Sequence, residues 1–268
     1  MPVHILTPAP LHPLTNALSL HLPGELISFT GGGGKSSLLF ALGRELAAAG
    51  HRVVATSTTR LATAQLQLAP ACCLASDLRN GGRSLDQNLQ AHRFCLVVGD
   101  VGPEKVTGVP LDLPAALLAR PAVDAVLVEA DGARMLPVKA PAPHEPALPP
   151  QTTLLVPVVG IDALSAPLQD VAHRPRRLAA LLGLSSLREI LTPTHVARLL
   201  TSPQGALRHA PPHARVIPFI NKVENDEQLA QALEIARLVF AGATDPRLQC
   251  VLIGAVQTSR PLRAIVAP

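Results

Sequence analysis

Four consecutive glycines, Gly31, Gly32, Gly33 and Gly34, followed at once by Lys35, Ser36 and Ser37, constrain this chain more than any other stretch. They stand between a short apolar run, Leu26, Ile27 and Phe29, and a segment in which Leu38, Leu39, Leu42 and Leu46 recur at helical spacing. Strand, glycine turn and helix in direct succession predict a phosphate site. A turn without Cβ atoms lets backbone N–H groups point inward at an anion, and the helix start adds partial positive charge. Lys35 would add a full charge, and Ser36 places a hydroxyl where a P-loop uses Ser or Thr to hold Mg²⁺. Agreement with G-x-x-x-x-G-K-[ST] is incomplete, because Phe29 stands where the first glycine belongs. The pattern is a variant P-loop, and the competing reading is a glycine linker that happens to precede a lysine.

A second run, VDAVLVEADG, has five apolar residues among the six from Val123 to Val128, ahead of Glu129 and Asp131. It reads as a Walker B strand, and period-two geometry puts both carboxylates on one side. The expected division of labour has Lys35 and the amides of Gly32 to Ser36 on the phosphates, Ser36 and Asp131 on the metal, and Glu129 orienting or deprotonating water. Lys35, Glu129 and Asp131 are thus the candidate catalytic groups; a strand end with an Asp-Gly turn is the alternative. Arg52 to Ala55 fit a buried strand with hydroxyls clustered at its carboxyl end, among them Thr58, a candidate metal ligand unless these threonines only finish the strand and cap the next helix. Arg215 to Ile220 reads as one strand ending in NKVE. There Asn221, Lys222 and Glu224 match the guanine-reading N-K-x-D pattern with Glu in place of Asp, which leaves ATP or GTP open. Asn225 is then expected to cap a helix with Gln228 as its reciprocal partner.

The remaining stretches predict strands at Phe94 to Val98, Thr153 to Val159 and residues 249–256. Helices are expected through Ala115 to Arg120, His173 to Leu182 and Thr192 to Leu200, with a polar turn at Arg79 to Arg83. Residues 132–151 hold six prolines and no periodicity, so they predict a stiff segment that fixes Lys139, His144 and Glu145, either facing substrate or merely crossing the surface. The implied fold class is α/β, a mostly parallel central sheet with helices on both faces, P-loop NTPase-like. One domain spans 1–268, with a lead-in over 1–24 and a helical insertion over 160–212.

Composition removes several alternatives. The apolar runs are broken well before the ~18 residues a bilayer demands, and no basic start precedes an apolar segment, so neither membrane nor secretory signal is expected and the cytoplasm is the default. A net charge of +4, from 23 basic and 19 acidic residues, is too scattered for nucleic acid, and without Trp or Tyr a base-stacking platform has few residues to use. Cys72, Cys73, Cys95 and Cys250 lack paired C-x-x-C spacing and read as reduced, mostly buried thiols, with a soft-metal site at Cys72 and Cys73 as the alternative. Arg174, Arg176 and Arg177, the densest basic cluster, suit either a lid over a transferred phosphoryl group or the solvated face of a helix.

Together, FTGGGGKSSL, VVATSTTRL, LVEADGARMLPVKAPAPHEPALP, VVGIDALSAPL with HRP at 173–175, LTPTHVARLL and FINKVE resemble the YqeC family of selenium-dependent hydroxylase accessory proteins. The likeness runs almost end to end, and EADG with its downstream HEP is more specific than any P-loop. It implies a P-loop NTPase-like protein that helps mature a client selenium-dependent molybdenum hydroxylase. The loop is also similar to the deviant P-loop of the SIMIBI class, in which a second lysine reaches across a dimer. Thr30 holds that place here, so a homodimer is compatible but lysine exchange is not expected. The expected function is a Mg²⁺-dependent NTPase serving cofactor assembly, with a small-molecule kinase and a nucleotide-switched scaffold as the alternatives.

Overall fold

The structure, a computed structural model, describes residues 3–9, 11, 13–78, 81–242 and 245–268. The polar turn expected at Arg79 to Arg83 begins on two residues outside that set. Among the described residues an eleven-stranded sheet runs through the molecule. Its strands are β1 (His4–Leu6), β2 (Glu25–Gly31), β3 (Val53–Ser57), β4 (Cys72–Leu74), β5 (Phe94–Val98), β6 (Ala125–Glu129), β7 (Leu154–Gly160), β8 (Arg215–Val216), β9 (Phe219–Asn221), β10 (Val251–Gly254) and β11 (Leu262–Ala267). The spatial order is β1-β11-β10-β9-β7-β2-β6-β3-β5-β4, with β8 also on β7. Every pairing from β10 through to β4 is parallel, and only β11 and β1 close one edge antiparallel.

A parallel sheet must be covered on both faces, and the strands carry the matching pattern. On one face Ile27 and Phe29 of β2, Ala125 and Leu127 of β6 and Val53 and Ala55 of β3 pack against Leu38, Leu39, Leu42 and Leu46 of the helix Lys35–Ala48. Each fully buried leucine contributes about 1.5–3 kcal/mol. On the other face Leu26, Val54, Val126 and Val128 meet the helices Arg83–His92 and Leu113–Leu118. Farther along, Leu155, Val159, Ile220, Val251 and Ile253 meet Pro175–Leu182, Pro193–Thr201 and Asp226–Gly242.

Three expectations are corrected. Arg215 to Ile220 is not one strand: Pro218 has no N–H, and the segment splits into β8 and β9, both on β7. The helix expected from His173 starts at Pro175 instead, because Ala172–His173 pairs in parallel with Val138–Lys139 and Arg174 turns left-handed at φ 66° between them. The Pro-rich segment is no surface crossover, since Lys139, Glu145 and most of the residues around them are buried. The Asn225 cap forms as read, Gln228 N donating to Asn225 Oδ1 at 2.9 Å and Asn225 N to Gln228 Oε1 at 3.4 Å. No helix among the described residues is long and apolar enough to cross a membrane.

Candidate functional site

Parallel order puts the carboxyl ends of β2, β6, β3, β7 and β9 along one rim, where ligands of open α/β sheets sit. The loop after β2 lies between the ends of β6 and β7. Its glycines are close-fitting: a Cβ on Gly33, whose φ is +74°, would stand 2.0 Å from Gly160 N. Two loop amides are already used, Gly32 N donating to Val158 O at 2.9 Å and Gly33 N to Leu136 O at 3.0 Å. This corrects the expectation that the amides of Gly32 to Ser36 all face a ligand. Those of Gly34, Lys35, Ser36 and Ser37 have no protein acceptor among the described residues, as the first turn of a helix leaves its donors free.

Lys35 is 4% exposed and its Nζ donates to Gly31 O at 2.7 Å. The same nitrogen stands 3.2 Å from Asp131 Oδ1 and 3.9 Å from Glu129 Oε1. Asp131 Oδ1 nevertheless receives no hydrogen bond of good geometry, while Oδ2 accepts from Gly31 N at 3.1 Å and faces Lys139 Nζ at 3.1 Å. Lys139 goes on to Glu145 Oε2 at 2.8 Å, and Arg174 grips Glu145 through both oxygens at 2.6 and 2.9 Å. A chain of alternating charge thus runs Lys35, Asp131, Lys139, Glu145, Arg174. Ser36 Oγ donates to Glu129 Oε2 at 2.6 Å and accepts from Gln65 Nε2 at 2.7 Å. Burial lifts the Glu129 carboxyl above the ordinary range, opposed by Lys35 and by the Ser36 bond. Burial also works against ionised Glu145, but hydrogen bonds from Arg174 and Lys139 overcome it and hold the group down at about 2.

Gly33, Gly34, Lys35, Ser36, Ser37 and Glu129 line one cleft of about 580 Å³, together with Asn221, Lys222 and Glu224 from the far end of the rim. Sequence elements 190 residues apart are therefore brought together, though not all in the expected roles. Asn221 is buried and acts as a brace, Nδ2 donating to Gly33 O at 2.8 Å while Oδ1 accepts from Val256 N at 3.1 Å. Lys222 is paired with Asp162 at 2.6 Å, and Glu224 is exposed. Thr58 is turned away: its hydroxyl donates to Ala147 O at 2.7 Å, and it does not line the cleft, which removes it from a metal set. Gln65 and Leu136 join the site without a sequence signal, since neither a lone Gln in TAQLQL nor a backbone carbonyl leaves one. Among the described residues no group of three or more His, Cys, Asp or Glu side chains gathers as a metal site. Cys72 is exposed, and Cys73 is buried 3.8 Å from Cys95.

Fold and site define a mixed α/β protein with a large, mostly parallel central sheet and a glycine-loop cleft at its carboxyl rim. The family model for YqeC protein matches residues 27–176. The uncharacterized protein YqeC of Escherichia coli (strain K12) is 33% identical over 211 residues, 78% of this chain and 80% of that protein. The chain belongs to the YqeC family.

Proposed function

We propose that the chain binds the polyphosphate of ATP or GTP, with Mg²⁺, on the glycine loop and hydrolyses it in the service of cofactor assembly in a client enzyme. The observation that carries this reading is the convergence, on one cleft, of four unpartnered amides at the start of a 14-residue helix, a buried lysine and a serine bonded to a carboxylate. Those amides would receive the phosphate oxygens, and Lys35 would turn from Gly31 O toward them. Ser36, its hydroxyl held by Glu129 on the cleft wall, is an oxygen donor of the kind Mg²⁺ takes beside nucleotide phosphates while keeping most of its waters, so this residue fits that ion; Asp131, paired with Lys35 at 3.2 Å and Lys139 at 3.1 Å, does not line the cleft and drops out of the metal set. When bound it would neutralise charge on the phosphoryl oxygens. Glu129, lifted by burial, suits the acceptance of a proton from water. The client, a selenium-dependent molybdenum hydroxylase, rests on the motif resemblance.

Lys35→Ala is expected to weaken ATP or GTP binding at least tenfold, since charge-assisted bonds contribute ~1.5–3 kcal/mol each. Isothermal calorimetry giving the two proteins equal affinity would refute the assignment. Glu129→Gln keeps the shape and removes the charge, so turnover should drop by roughly 10²–10⁴ while nucleotide still binds, as for loss of a general base. A rate equal to wild type in a phosphate-release assay sinks that role. Of the three arginines a kinase lid would use, Arg174 is held by Glu145 and Arg177 Nε donates to Pro141 O at 3.2 Å, which leaves Arg176 and favours the hydrolase reading over the kinase.

A further inference from the structure

Behind the nucleotide-sized cleft a second one of about 710 Å³ opens, lined by Arg60, Arg134, Arg174, His144, His173 and Glu145. The two clefts share Arg60, Gly132 and Arg134 as their common wall. Three guanidiniums face one carboxylate there, and that carboxylate, Glu145, is already answered from behind by buried Lys139. Arg60 and Arg134 are exposed and belong to none of the ion pairs among the described residues. The cleft therefore carries an excess of positive charge that the protein does not balance.

Its wall is also built rather than incidental. Arg134 and Met135 hold consecutive left-handed conformations, φ 51° and 63°, which non-glycine residues adopt at a cost and keep only when their surroundings enforce it. The enforcement is visible: Leu136 N donates to Ala133 O at 3.0 Å, and Leu136 O is the acceptor for Gly33 N of the glycine loop. His173 feels the same field, since burial, then Arg174, Lys139 and Arg134, push its imidazole down to about 4.

We propose that this cleft is a second binding site, for an organic anion of metabolite size whose phosphate or carboxylate groups seat on Arg60 and Arg134. Guanidinium forks match the paired oxygens of both groups. The volume lies in the range of small-molecule pockets, well beyond what an isolated inorganic ion fills. Its two seats, Arg60 and Arg134, stand on the wall shared with the glycine-loop cleft, so nucleotide is the competitor in the test.

The test is calorimetric titration of the full chain with 3-phosphoglycerate, with inorganic phosphate, and with each in the presence of saturating ATP. The expected result is saturable binding of 3-phosphoglycerate that ATP does not displace, at least tenfold tighter than inorganic phosphate. Arg60→Gln and Arg134→Gln should each weaken it about tenfold, and the His173 imidazole, followed by NMR, should titrate at higher pH when the site is filled. Absence of saturable binding, or an affinity unchanged by both substitutions, overturns the proposal. Displacement by ATP means that the two ligands share one site, through the glycine loop or the common arginines, and also overturns it. Equal affinity for inorganic phosphate overturns the metabolite-sized ligand in favour of a free oxyanion. Binding of 3-phosphoglycerate by a protein that takes no ATP would instead support this site while the nucleotide reading failed.

Discussion

Lys139→Met is expected to cost the folded protein ~3–5 kcal/mol, the penalty for removing one partner from a buried ion network. Lys139 is 3% exposed and is shared by Asp131 at 3.1 Å, Glu145 at 2.8 Å and the Gly132 carbonyl at 2.8 Å. Met fills a similar volume, so the loss is that of charge and hydrogen bonds, and it leaves Asp131 with Lys35 as its one cation and Glu145 with Arg174. Against a typical total of about 5–15 kcal/mol, that is a large fraction. Urea denaturation would read it as a lower midpoint at constant slope; an unchanged midpoint would mean the network contributes no net stability. The acid limb should change as well. Glu145 titrates lower in the folded state, at about 2 against an ordinary 4.5, so its stabilisation is complete above the ordinary value and is lost as pH falls from about 4.5 to about 2. With Lys139 gone, one of the hydrogen bonds that depress Glu145 goes too, and the decline over that window should be shallower than in wild type.

Gly33→Ala should be strongly damaging, because a clash with fixed backbone and a left-handed φ fall on the same residue. The added carbon would lie 2.0 Å from Gly160 N and 2.6 Å from Gly160 Cα, so no side-chain rotation relieves it, and the residue would hold φ +74° besides. Either the loop or the end of β7 must move, at roughly 1–3 kcal/mol for overpacking and a comparable amount for the strained backbone. Movement breaks the bonds from Gly33 N to Leu136 O and from Asn221 Nδ2 to Gly33 O, so the rim of the cleft is lost along with stability. Gly132→Ala is the control: nothing lies within 4 Å of its Cβ. Thermal unfolding should separate the pair by several degrees, at about 2–4 °C per kcal/mol for a chain somewhat shorter than this one. Equal midpoints would mean that the glycine loop tolerates a side chain.

What the sequence made legible was local. Apolar spacing from Leu38 to Leu46 and the run from Val123 to Val128 each report the face they bury, and both elements appear where the pattern puts them. The two-faced parallel sheet is a consequence of such runs. Proline's missing donor at Pro218 was equally readable from residue type, yet the apolar residues on either side of it outweighed the break. The site was legible as a set of residues and much less as a set of roles. Asn221 carries the same letter whether it reads a base or braces Gly33, and only the fold, which sets it against a loop 188 residues away, decides between them. Lys139 and Glu145 are six residues apart with no periodicity to connect them. Their link to Asp131 depends on the Pro-rich segment folding inward, and composition carries no direction.

The tether between Gly33 and Leu136 gives the glycine loop its shape in the absence of any guest. A run of four glycines would otherwise have the greatest backbone freedom in the chain, and quenching that freedom at each encounter would subtract from every association. Here the freezing is completed once, when the polypeptide folds, so a guest of the kind proposed above would meet a loop whose ordering cost is already met.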